Sequence, residues 1–144
     1  MFGTAAFYLI QLKENGRTLE IRDTVSGKLY GKWPLYEAGE FAIEFIHSVN
    51  QSPVREFFKA EDTEIQPLAV RFYSFGAGMS GDLEEGQILS RDGDAMVISG
   101  FNTSFKELNY IVGTVSDHVL FINGEMVSMR DLCGKNAHIT ISIK

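Results

Sequence analysis

Turn signals recur along most of this chain at intervals of about eight to fifteen residues, and that spacing limits the available folds more than any other feature. They are Glu14-Asn15-Gly16, Ser26-Gly27, Ala38-Gly39, Gln51-Ser52-Pro53, the run Gly76 to Gly81, Asp92-Gly93, Asn123-Gly124 and Gly134-Lys135-Asn136. Segments that short hold single strands joined by tight turns, whereas parallel strands need long crossovers. Between the turns the chain alternates. Phe41, Ile43, Phe45, His47 and Val49 share one strand face, and Ile139, Ile141 and Ile143 alternate with Thr140 and Ser142. In HVLFINGEMVSM, Asn123-Gly124 suits the two positive-φ positions of a type I′ turn, pairing Leu120 with Val127 and Ile122 with Glu125. The expectation is a single all-β domain over residues 1–144, an antiparallel β-sandwich or barrel-like fold with at most one short helix. Ser104 to Leu108, N-capped by Thr103 or Ser104, is the expected place for that helix.

Composition narrows the function. With 144 residues, 44% of them hydrophobic, the chain can close one sizeable core. A net charge of −6 and 13 scattered basic residues argue against a nucleic-acid partner, which needs clustered Lys and Arg. Cys133 is the only cysteine, so an internal disulfide is impossible, and beside Leu132 and Gly134 it reads as a small buried hydrophobe. The glycines of Phe75 to Gly81 superficially suggest a phosphate cradle. The acidic Asp82-Leu83-Glu84-Glu85-Gly86 that follows would repel a pyrophosphate, so a loop with close backbone approach is expected. Asp92-Gly93-Asp94 is too short for a calcium loop and reads as a hairpin turn. No cofactor and no metal are expected. Met1 to Leu12 has no charged side chain yet is too short to span a bilayer as a helix. It reads either as a first strand, Ala5 to Leu12, or as the trailing edge of an N-terminal anchor or signal.

The stretch richest in chemistry is FIHSVNQSPVREFF, Phe45 to Phe58. A bend centred on Gln51-Ser52 would set His47 opposite Glu56 and Val49 opposite Val54, with His47 and Glu56 both facing inward. A buried carboxylate without a partner is costly, so such a pair must satisfy itself or meet something cationic or polar. Three outcomes follow: a structural His–Glu hydrogen bond, a pair that orients a ligand, or two ligands of a metal site. A metal needs further ligands, and His118 and His138 lie on distant strands. Ser48 points to the opposite strand face from His47. Ser52 is freer, but no G-x-S-x-G elbow surrounds it. Arg71 and Tyr73, on one face of the next strand, are candidates to complete a polar pocket, or Arg71 to bridge Glu56.

These residues carry a resemblance. His47-Ser48-Val49, then Ser52-Pro53-Val54 with Glu56, then Phe75-Gly76-Ala77-Gly78-Met79 resemble the signature of the bacterial family called domain of unknown function 1850. The resemblance extends from Leu19 to Ile143 and includes Trp33-Pro34-Leu35 and the Val119 to Leu132 hairpin. It implies a small extracytoplasmic protein, periplasmic or on the cell surface, with an N-terminal hydrophobic segment. It also implies an association with tripartite ATP-independent periplasmic (TRAP) solute transporters. No activity and no residue role come with it. The candidate binding residues are therefore His47, Ser48, Ser52, Glu56, Arg71, Tyr73, Gly76 and Gly78, with none assigned to catalysis or metal binding. The expectation is a non-enzymatic accessory or binding domain whose partner is a TRAP transporter subunit or a small polar solute. Membrane attachment would run through a segment ahead of Met1. One alternative is a hydrolase or metal-dependent enzyme with His47 as base and Glu56 as its orienter. The other is a structural assembly module in which the motif only fixes a bend.

Overall fold

Where apolar residues alternate with polar ones, the chain forms strands. The computed structural model describes residues 14–73 and 82–144. In chain order its strands are β1 (Glu14–Asp23), β2 (Leu29–Tyr36), β3 (Glu40–Ile46), β4 (Pro53–Glu61), β5 (Glu64–Phe72) and β6 (Ile88–Asp92). They continue with β7 (Ala95–Ser99), β8 (Glu107–Ile111), β9 (His118–Ile122) and β10 (Glu125–Ser128). A short helix, α1 (Met129–Cys133), and β11 (His138–Ile143) complete the chain. Met1 to Leu12 and the Gly76 to Gly78 motif lie outside the described residues.

All pairings between these strands are antiparallel, in two sheets. The smaller has the order β2-β1-β11-β8 and the larger β10-β9-β3-β4-β5-β7-β6. They pack face to face as a sandwich, as all-β patterning predicts. From the smaller sheet Leu19, Ile21, Ile139, Ile141 and Ile143 turn inward. From the larger sheet Phe41, Ile43, Phe58, Ile65, Leu120 and Ile122 meet them, and each of these eleven is at least 96% buried. Burial of this kind is the main favourable contribution to folding.

The β9–β10 hairpin has the expected register, Leu120 opposite Val127 and Ile122 opposite Glu125. Asn123 (φ 52°) and Gly124 (φ 75°) occupy the two left-handed positions of its turn. Two local expectations are overturned. Ser104 to Leu108 is not helical: Phe105 bridges to Ile65, and Glu107 onward is β8, alternating exposed and half-buried residues. The helix lies instead at Met129–Cys133, where the Ser128 side chain caps it by accepting from the Asp131 amide. Glu14-Asn15-Gly16 is not a turn between elements, because β1 runs through it with a register shift between Glu14 and Thr18 and Gly16 at φ 78°. No described helix is long and apolar enough to cross a membrane.

Candidate functional site

The site begins with a sequence anomaly on β4. Val54, Glu56 and Phe58 alternate onto the inner face, so a carboxyl group stands in a row of hydrophobes. Its strand neighbours are Ile43 on β3 and Val70 on β5. A register shift between Phe57 and Phe58 keeps both Pro67 and Val70 of β5 on that inner face, opposite Phe58 and Glu56. Facing Glu56 from the other sheet is β8, where Leu108 and Tyr110 are the half-buried positions. Tyr110 Oη donates to Glu56 Oε2 at 2.7 Å, a contact between residues 54 positions apart.

This pair lies at one side of a cavity of about 350 Å³ between β4 and β5 of one sheet and β8 of the other. Phe58, Pro67, Val70 and Leu108 supply apolar walls, and Phe101 and Phe105 close it from the segment linking β7 to β8. Reciprocal backbone hydrogen bonds between Phe105 and Ile65, at 2.7 and 2.8 Å, hold that segment in place. Phe105 is 42% exposed, so the cavity is bounded on that side by a surface residue. Among the described residues its polar lining beside Glu56 is Tyr110 and Asn109, and the Asn109 side chain is already bonded to Glu107 and Thr140. Among the described residues, no Ser, Thr, Cys or His lines it.

Burial sets the electrostatics. It raises the Glu56 carboxyl above its ordinary value, and the hydrogen bond from Tyr110 only partly opposes this. Burial also holds the Tyr110 hydroxyl well above the usual phenol range, reinforced by the Glu56 charge, so Tyr110 stays a donor. The Tyr110 ring lies 5.7 Å from that of His118 on β9, which stacks on Phe45 at 5.4 Å. Burial lowers His118, with Asp117 acting against the shift, and His118 Nδ1 accepts from the Gly113 amide.

The expected His47–Glu56 pair is not formed. Phe45 pairs with Val54 and Ile46 with Pro53, which puts Glu56 opposite Ile43, four residues before His47. His47 opens a loop instead. Its amide donates to Ser52 O at 2.9 Å, its carbonyl accepts from the Gln51 amide, and its Nδ1 accepts from the Val49 amide at 3.2 Å. Ser48 is exposed and its carbonyl accepts from Gln51 Nε2, while Ser52 Oγ donates to Asn50 Oδ1 at 2.6 Å. Gln51 takes the left-handed conformation the bend requires (φ 55°). His47, Ser48 and Ser52 therefore satisfy one another's loop, and among the described residues of the signature only Glu56 lines the cavity.

Arg71 and Tyr73 are also set apart from Glu56. Arg71 pairs with Arg55 on the outer face of the larger sheet, the side away from Glu56. Its guanidinium lies 3.5 Å from Asp92 and 5.7 Å from the Tyr73 ring, and Arg55 is held by Glu44 at 2.8 Å and stacks over Phe121. An Arg71–Glu56 bridge is thus excluded. Gly76 and Gly78 fall outside the described residues. Among the described residues, no group of three or more His, Cys, Asp or Glu is placed to hold a metal ion. Cys133 packs against the core, and burial pushes its thiol up to about 11. Sequence reasoning missed Tyr110, Phe101 and Phe105. The alternation of Leu108 and Tyr110 was the available signal, hidden by reading Ser104 to Leu108 as helical.

The family model described as domain of unknown function (DUF1850) matches residues 41–129. The match runs from β3 into the start of α1 and is shorter at both ends than the span from Leu19 to Ile143. It covers the loop at His47, Glu56 and Tyr110 together. No curated protein and no solved structure matches the chain.

Proposed function

The chain belongs to the DUF1850 family, and from that premise we propose that it is a non-enzymatic, extracytoplasmic binding domain that serves a TRAP-type solute transporter and holds a small solute in the Glu56 cavity. The observation that carries the binding part is the carboxyl group of Glu56, hydrogen-bonded to Tyr110 at the edge of an otherwise apolar cavity. A purely structural position there would be served by another hydrophobe, since replacing a buried polar pair by well-packed apolar groups is neutral or stabilising. Among the described residues the lining offers neither an activated nucleophile nor a base beside one, which favours binding over hydrolysis. The solute is amphipathic rather than fully polar, because most of the wall is aromatic or aliphatic. The transporter association and the extracytoplasmic location rest on the family resemblance and the apolar Met1 to Leu12.

The test is co-purification of the protein with the transporter subunits, combined with solute uptake by cells carrying Glu56→Gln. The reading predicts that the wild-type protein co-purifies and that Glu56→Gln slows uptake at least several-fold at unchanged protein level. Absence of co-purification together with unaltered uptake would overturn it.

A further inference from the structure

We infer that the cavity beside Glu56 and Tyr110 takes an organic cation, a small ammonium group carried on an apolar body. This deepens the reading of the cavity as a ligand site and rests on it. Among the described residues, Glu56 is the one lining side chain able to carry a full charge, and that charge is negative. Arg55 and Arg71, its nearest cationic neighbours in the strand register, lie on the opposite face of the sheet, so the described lining offers an anionic ligand no cationic partner. A sugar or polyol needs many polar partners, and among the described residues the lining provides Glu56, Tyr110 and an Asn109 already bonded to Glu107 and Thr140. A bare divalent ion needs several oxygen ligands, not one carboxylate. An ammonium head needs one carboxylate and gains from aromatic faces, and Phe58, Phe101 and Phe105 line the same space.

Binding is coupled to the protonation of Glu56. In the empty cavity burial raises the Glu56 carboxyl above its ordinary value, so it holds its proton to higher pH than an exposed carboxyl. Below that raised value, entry of the ammonium ionises Glu56, its proton leaves to solvent, and the ion pair Glu56-COO⁻ with the ligand's –NH₃⁺ takes its place. Of the titratable groups on the elements packed against Glu56, Tyr110 on β8 donates to it and stays protonated. His118 on β9 faces Tyr110 and is held toward its neutral form. Arg55, beside Glu56 on β4, and Arg71 on β5 project to the other face, toward Glu44 and Asp92.

The experiment is isothermal calorimetry on the full chain with benzylamine, benzyl alcohol and benzoate, in two buffers of different ionisation enthalpy. At a pH below the raised folded-state value of Glu56, the inference predicts that benzylamine binds with release of a proton, read from the buffer dependence of the heat. Its affinity should rise by about tenfold per pH unit until Glu56 is ionised in the free protein. Glu56→Gln keeps an acceptor for Tyr110, so with an undiminished melting temperature it should weaken benzylamine at least tenfold and abolish the proton release. Benzyl alcohol or benzoate binding as tightly as benzylamine, without proton release, would overturn the cation assignment while leaving the cavity a ligand site. Absence of benzylamine binding at millimolar concentration would overturn the assignment too, and the uptake of cells carrying Glu56→Gln tests the binding reading separately.

Discussion

Burial of Glu56 between Ile43 and Val70 makes the stability of the fold depend on pH, in a direction fixed by the sign of the shift. The folded carboxyl has a pKa above its ordinary value of 4.5, so the folded state holds its proton more tightly than the unfolded chain. Its favourable contribution is fully present below about pH 4.5 and is lost as pH rises through the folded-state value. Glu56→Gln cannot titrate. Calorimetric melting across pH should therefore show the variant gaining on the wild type as pH rises from 4.5. A difference between the two that is flat with pH would show that Glu56 titrates like an exposed carboxyl. Tyr110→Phe removes the donor, and leaving the carboxyl without it should cost about 1–3 kcal/mol. The inward placement of Glu56 was legible in the sequence because side-chain direction follows a strict period of two along a strand. Its partner was not, because Tyr110 comes from a distant strand of the opposing sheet.

At the scale of elements, turn chemistry decided which local readings held. Asn123-Gly124 admits one hairpin geometry, and its register follows from a two-residue turn. Gly124 is at φ 75° with no atom within 4 Å of where a Cβ would stand, so Gly124→Ala would cost only left-handed strain. That is about 1–2 kcal/mol, seen in thermal unfolding as a melting temperature lower by a few degrees. An unchanged melting temperature would contradict the turn assignment. The His47 loop is different. The amide of His47 bonds to Ser52, so four residues lie within the loop rather than two, and the strands pair four positions away from a bend centred on Gln51-Ser52. Loop length was not encoded in any single strong signal there; it depends on Gln51 adopting a conformation rare outside Gly and Asn. The misplaced helix has a similar cause. Thr103 and Ser104 look like N-caps, but pairing of β8 with β11 and the Phe105–Ile65 bridge override a local preference.

At the scale of the molecule, the spacing of turns and the alternation of Phe41, Ile43 and Phe45, and of Ile139, Ile141 and Ile143, were enough to indicate an all-β sandwich. They could not indicate where the two sheets leave space between them. That space depends on sheet order, which puts β8 at the edge of the smaller sheet opposite β4 and β5 of the larger one. The central claim is that this space is a binding site organised by Glu56. Its most direct test is carbon-detected NMR of the Glu56 side-chain carboxyl, at a pH where the free protein shows it protonated, during titration of the full chain with benzylamine. The account predicts that the Glu56 signal moves from the protonated to the ionised position in proportion to bound ligand, with Tyr110 and Phe105 shifting alongside it. A protein that binds benzylamine with the Glu56 signal unmoved would contradict it.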